Sequence, residues 1–192
     1  AYKIKKRYIK VGSCEHSDIS TFSLHPLKTI TTGEGGIVTT NSKKLNHKLK
    51  LVRSHGILKS KHHWKYNIIE YGLNLRLNDF QCALGISQLK KINKFIKKRK
   101  KITITYDKFF SKLNEVTLPK KDKNRLSSHH LYIIHLANKK NLKNKFLKYM
   151  LKKKIYVQYH YIPIYKFNIF NKKLKLINTE NYFNSAISLS IF

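Results

Sequence analysis

The sequence predicts an α/β chain. Short runs rich in β-branched and aromatic residues alternate with segments of helical periodicity. Hydrophobic residues fill 41% of the 192 positions and aromatics 12%, enough apolar matter for a packed core. Only 3 Pro and 7 Gly occur, so the composition is neither that of a linker nor of a collagen.

The elements follow in order. Asp18–Ser23 has the content of a short buried strand. Pro26 then forces a turn, and Thr31-Thr32-Gly33-Glu34-Gly35-Gly36 is glycine-rich. Gly36–Thr40 reads as a second strand. Asn41 or Ser42 caps a helix running to about Ser54, with Leu45, Leu49 and Val52 on one face and Gly56 as its stop. Residues 57–75 read as a long connection holding His62, His63, Trp64 and Tyr66. A long helix starts at Asn78, with Phe80, Leu84, Leu89, Ile92 and Ile96 at helical spacing. It is expected to kink around Lys98–Thr105 and to reach Leu113. A connector spans Pro119 to Arg125. Next come a strand at His130–Leu136, a helix from about Leu142 to Lys153 and a strand at Ile155–His160. Pro163 breaks the chain, 164–178 is poorly patterned, and a short helix at Glu180–Ala186 precedes an apolar end. The change of texture between about 89 and 125 marks a passage between two subdomains.

The charge is extreme. Lys+Arg number 41 against 9 Asp+Glu, a formal net charge of +32. Such a balance normally points to nucleic acid. Here 36 of the basic residues are Lys and 5 are Arg, whereas phosphate and base readers lean on the bidentate guanidinium. Lys, Ile and Asn together fill 74 positions, the signature of an A+T-rich coding sequence, so much of the lysine sits on solvated faces. Specific nucleic-acid binding is therefore not expected; weak, salt-sensitive binding to polyanions is. Cys14 and Cys82 are far apart and lack Cys-x-x-Cys spacing, which argues against a disulfide scaffold or a zinc module and leaves plain thiols. No metal site is expected: adjacent His62 and His63 point to opposite faces in extended chain, and no third ligand is evident. No apolar run approaches the roughly 20 residues that span a membrane, and a cytoplasmic setting is the default. Both ends read as cut: the only methionine is Met150, and the last residues are apolar with nothing after them. The expectation is a fragment of a longer protein.

The chemistry concentrates in Ser23-Leu24-His25-Pro26-Leu27-Lys28-Thr29-Ile30-Thr31-Thr32-Gly33-Glu34-Gly35-Gly36. A lysine on a constrained turn between strands can be held in place and partly desolvated, which frees its amine to condense with a carbonyl. A serine at the strand end can donate to a phosphate, and glycines admit close backbone approach. Taken alone, one lysine among 36 is most simply solvated surface.

The string resembles the cofactor-lysine segment of the DegT/DnrJ/EryC1/StrS family of sugar aminotransferases dependent on pyridoxal 5'-phosphate (PLP). Three further blocks agree in order: Leu51-Val52-Arg53-Ser54-His55-Gly56-Ile57, Tyr71–Gly85 with Gly72-Leu73-Asn74-Leu75-Arg76, and Tyr159-His160-Tyr161-Ile162-Pro163. The end, Ala186–Phe192, resembles the family's Ala-Leu-Ser-Leu-Pro strand, with Ser190 where proline is usual. The resemblance implies PLP-dependent transferase fold type I, incomplete. Residues 1–88 would be the C-terminal part of the large domain, 89–125 the linking helix and connector, and 126–192 a truncated small α/β domain.

It also implies roles. Lys28 would carry PLP covalently and shuttle the proton, and a lysine here favours transamination over dehydration. Ser23 would bond the PLP phosphate, and Asn74 the phosphate in a partner chain, since the family is homodimeric. Arg76, His160 and Tyr161 would line the substrate site, while His25 orients the turn. The substrates implied are L-glutamate and a UDP-linked 4-keto-6-deoxy-N-acetylhexosamine, on the way to pseudaminic acid. The rivals are another keto-sugar nucleotide, and an inactive fragment or basic polyanion-binding protein. The family's ring-stacking aromatic and the aspartate facing the pyridine nitrogen precede the lysine. Asp18 is the only aspartate before Lys28 and lies too close to it, so these 192 residues alone are expected to be inactive.

Overall fold

The computed structural model describes every residue except Lys5, His63, 138–140, 171–173 and Phe192. The chain divides into two units. One comprises Ala1–Asn93 with Asn124–Leu126, the other Lys94–Lys123 with Ser127–Phe192.

The first unit is built from antiparallel pairs. Strands β1 (Tyr2–Ile4) and β2 (Arg7–Ile9) pair, and Tyr2 also bridges Arg125. Strands β3 (Ser20–Ser23) and β4 (Gly36–Thr39) pair with Ser20 opposite Thr39 and Ser23 opposite Gly36. Helix α1 (Lys43–Arg53) starts at Ser42, whose hydroxyl accepts from the Leu45 N–H at 3.3 Å. It stops where His55 and Gly56 turn left-handed, with the Gly56 N–H donating to the Leu51 carbonyl at 2.8 Å.

The segment expected as a long connection is instead a hairpin, β5 (Ile57–Lys59) against β6 (Tyr66–Ile68). His63, within that connection, lies outside the described residues. Helix α2 (Asp79–Lys90) opens with a reciprocal box: Asn78 accepts from the Gln81 N–H at 2.9 Å and the Gln81 side chain accepts from the Asn78 N–H at 3.1 Å.

The expected single helix is two. Lys91 caps α2, its N–H reaching back to Gln88, and α3 (Ile92–Phe110) follows. The break lies at Lys91 rather than at Lys98–Thr105, where the backbone stays helical. Apolar periodicity alone misses this, because Leu89 and Ile92 keep helical spacing across the cap.

The second unit holds the packed core. Strands β7 (Val116–Thr117), β8 (Tyr132–Leu136) and β9 (Ala186–Leu189) form a sheet in the order β7-β8-β9. In β8, Tyr132, Ile134 and Leu136 alternate inward against Ile187, Leu189 and Ile191. Residues of α3 and of α4 (Leu142–Lys152), among them Tyr106, Phe110, Phe146 and Leu147, cover this cluster. Each fully buried isoleucine contributes on the order of 1.5–3 kcal/mol. Asp107 on α3 accepts from the Tyr132 hydroxyl at 2.9 Å and pairs with Lys121.

Helix α5 (Ile177–Ser185) begins earlier than the pattern suggests and runs straight into β9. The stretch expected as strand Ile155–His160 makes only one bridge, Gln158 with Ser188. Residues 164–170 form two short 3-10 turns.

Candidate active site

Lys28 lies between β3 and β4, on a turn organised by Leu24. The Leu24 side chain is buried, its N–H donates to the Gly35 carbonyl at 2.9 Å, and its own carbonyl accepts from both Thr32 N–H and the Thr31 hydroxyl. One buried residue thus closes the loop on itself. Inside it the Lys28 N–H donates to the His25 carbonyl at 2.9 Å, and His25 Nδ1 accepts from the Leu27 N–H at 3.2 Å. The lysine side chain is half-buried. His25 therefore orients the turn, as the string suggests.

The glycines have separate reasons. Gly35 sits at φ 143°, where a Cβ would lie 2.6 Å from Leu77 and 2.8 Å from the Thr32 hydroxyl. The turn is also tied to α2, because Gln81 Nε2 donates to the Glu34 carbonyl at 3.1 Å. Gln81 thus serves both the helix box and the lysine turn. Sequence reading passed over it; its place three residues after a capping Asn was the available signal.

Ser23 ends β3 and is exposed, and its hydroxyl oxygen accepts from the His25 N–H at 3.3 Å. Its O–H remains a donor for an anion. Asn74 and Arg76 lie on the strand-like stretch after Gly72. Asn74 bridges Ser54, and the Leu75 N–H donates to the Arg53 carbonyl at 3.0 Å. Both side chains are exposed, and among the described residues neither has a hydrogen bond or ion pair. Lys28, Ser23, Asn74 and Arg76 all belong to the first unit; His160 and Tyr161 belong to the second.

In the second unit His160 is half-buried and its Nδ1 lies 2.8 Å from the Ser188 hydroxyl. Tyr161 is exposed, with its ring edge-on to His160 at 4.7 Å. Cys14 is half-buried, and its sulfur lies 3.3 Å from the Thr39 carbonyl and 3.5 Å from the Thr39 hydroxyl. Both cysteines are free, and among the described residues no cluster suited to a metal occurs. Among them, too, no helix is long and apolar enough to cross a membrane.

The donor set fits the two ends of PLP differently from its middle. An amine and an exposed hydroxyl suit an aldehyde and a phosphate. In this unit Glu15 is paired with Arg7 and Glu70 with Lys48, so neither is an obvious partner for a ring nitrogen.

The fold defines the class: it is that of the sugar aminotransferases. It superposes on Helicobacter pylori PseC, an aminotransferase involved in pseudoaminic acid biosynthesis, with a TM-score of 0.83 and 39% identity, covering 90% of this chain and 47% of that one. A Streptococcus pneumoniae protein described as a sugar aminotransferase, in its PLP form, gives a TM-score of 0.82 at 25% identity over 93% of this chain and 48% of its own. The chain belongs to the DegT/DnrJ/EryC1/StrS aminotransferase family, whose profile matches residues 5–192. It is 44% identical over 184 residues to a UDP-4-amino-4,6-dideoxy-N-acetyl-beta-L-altrosamine transaminase of Campylobacter jejuni, with 94% of this chain and 48% of the relative covered. The Helicobacter pylori protein of that name is 41% identical over 178 residues, with 88% of this chain and 46% of the relative covered. The chain spans about half the length of the curated relatives it matches.

Proposed function

We propose that this chain forms the lysine-bearing half of a PLP-dependent nucleotide-sugar aminotransferase. It would move the amino group of L-glutamate to C4 of a UDP-linked 4-keto-6-deoxy-N-acetylhexosamine, toward pseudaminic acid or a related surface sugar. The observation that carries the reading is the Leu24-centred turn presenting Lys28 beside a strand-end serine, in a chain 44% identical to a transaminase of such a sugar.

When bound, PLP supplies an electron sink for the pair released as a C–H bond at the reacting carbon breaks. Lys28 would hold the cofactor through its amine. Once displaced, the same amine would take a proton from Cα of the donor and deliver one at C4 of the sugar. Ser23 would donate its hydroxyl proton to the cofactor phosphate. The Asn74 carboxamide would serve the phosphate of a second copy in a homodimer. Arg76 would neutralise the diphosphate of the nucleotide, and His160 with Tyr161 would border the sugar. In this reading residues 1–88 complete the large domain, 89–125 link, and 126–192 form the small domain of a cytoplasmic enzyme.

The test is direct. The chain is incubated with equimolar PLP, reduced with borohydride and mapped by peptide mass. The phosphopyridoxyl mass should fall mainly on the Lys28 peptide, and Lys28→Ala should remove it without raising labelling elsewhere. Label spread evenly over the 36 lysines would defeat the proposal.

A further inference from the structure

We infer that Thr32 and Gly85 are a positioning pair: the Thr32 methyl seats on the bare backbone of Gly85 in α2, and that seat sets where the Lys28 amine stands. What Lys28 does with its amine rests on the function proposed above. The seat itself rests on geometry alone.

Thr32 is buried, with 4% of its surface exposed. Its N–H donates to the Leu24 carbonyl at 3.0 Å, and its hydroxyl donates to the Glu34 carbonyl at 2.7 Å. Its methyl meets the helix: a Cβ built on Gly85 would lie 2.9 Å from Thr32 Cγ2. Ordinary contact begins near 3.4 Å, so an alanine at 85 would drive the two apart by about half an ångström. Threonine is stiff at χ1, and turning the methyl aside would carry the hydroxyl off the Glu34 carbonyl. The displacement therefore passes to the backbone of the turn.

The helix side is equally defined. Within α2 the half-buried residues are Gln81, Gly85 and Gln88, at the spacing of one helical face. From that face Gln81 Nε2 reaches the same Glu34 carbonyl at 3.1 Å. The turn thus rests on α2 at two neighbouring points, one polar and one apolar. Lys28 stands midway between Leu24 and Thr32, in the loop that their hydrogen bond closes, so a shift of Thr32 moves the base of the lysine. An amine that must take a proton at one carbon and deliver it at another tolerates little displacement. Neither Thr32 nor Gly85 touches the cofactor; both act through the turn.

The pair makes a prediction that a merely structural role does not. Alanine is the better helix former, so Gly85→Ala should firm α2 while it moves the turn. Gly85→Ala, Thr32→Ser and the double variant of the 192-residue chain test this, read by amide deuterium exchange and by borohydride trapping of PLP at Lys28. In Gly85→Ala the amides of Leu24, Lys28 and Thr32 should exchange about tenfold faster, while those of α2 hold or slow. Trapping at Lys28 should fall about tenfold. Thr32→Ser keeps the hydroxyl and drops the methyl, which makes room for the new Cβ. The double variant should therefore return to within about twofold of Thr32→Ser alone in both readouts.

Unchanged turn amides in Gly85→Ala overturn the inference. So does a double variant no better than Gly85→Ala, and so does equal acceleration of the turn and α2. If Gly85→Ala fails to fold, recovery of the fold in the double variant supports the seat, and its failure to recover overturns it. The exchange readout needs no cofactor. If the unsubstituted chain traps no PLP at Lys28 while exchange shows the coupling and its rescue, the proposed function fails and the Thr32–Gly85 seat stands.

Discussion

Gly56 shows how much a single hydrogen in place of a side chain can matter. It sits at φ 69°, and a Cβ there would lie 1.7 Å from the Glu70 carbonyl oxygen, a backbone atom that cannot swing aside. Gly33 is a natural control, with φ 83° and nothing within 4 Å of its Cβ position. Gly33→Ala should cost only the left-handed strain, about 1–2 kcal/mol. Gly56→Ala should cost more than about 3 kcal/mol, because overlap adds to strain. Urea titrations followed by circular dichroism compare the two, and equal midpoints would refute the overlap argument.

His129 poses a pH question at the same scale. Burial, then the charge of Lys100, hold its imidazole below the ordinary histidine value of 6.5, with Asp107 opposing and Lys121 adding. The unfolded chain therefore takes up the proton first as pH falls. Stability should be full above about pH 6.5 and decline as the pH drops through it, levelling off below the folded-state value. His129→Asn tolerates the residue's φ of 52° and should flatten that slope. A slope retained in the variant would assign the effect elsewhere.

At the level of elements, the start of α2 couples helix and site. Asn78→Ala removes one arm of the box and should cost about 1 kcal/mol. Gln81→Ala removes the other arm and also frees the Glu34 carbonyl, so it should additionally lower PLP labelling at Lys28. Labelling equally reduced by Asn78→Ala would show that only helix stability counts.

These elements also show what was legible beforehand. Helices with a polar cap before an apolar stripe, at Ser42 and Asn78, could be read from residues alone, as could the lysine turn with its fixed order of Ser, His, Lys and Gly. The β5–β6 hairpin could not. Its strands are three residues long, largely exposed, and carry Lys59 and Tyr66 where alternation would show. The stretch 155–160 has strand-like content but lies beside β9 through a single bridge, so composition overstated it. The Ser188–His160 contact joins residues 28 positions apart through one hydroxyl, and no local pattern announces it.

Across the whole molecule, burial is uneven. The second unit encloses Tyr132, Ile134, Leu136, Ile187, Leu189 and Ile191. In the first, Ile9 and Leu24 are the buried apolar side chains among the described residues, while Tyr71 is 95% and Phe80 89% exposed. Opening free energies follow local burial. Amides of β8 and β9 should therefore exchange with deuterium more slowly than those of β3, β4, β5 and β6 in this 192-residue chain. Uniform protection would contradict that order. The charge of +32 adds long-range self-repulsion, so added salt should slow exchange throughout.

The hold of Ser188 and Ser190 on residues 156–160 has a practical corollary for anyone wishing to retarget this scaffold. Anchorage falls on the Tyr156 carbonyl, on the Gln158 backbone and on the His160 ring, while Val157 packs against the core and Tyr159 and Tyr161 remain exposed. A combinatorial library confined to Tyr159 and Tyr161 would vary what the loop presents while its attachment points stay constant. His160 would be kept as well, because its attachment runs through the ring itself, whereas Tyr156 and Gln158 are held by backbone atoms that any side chain leaves in place.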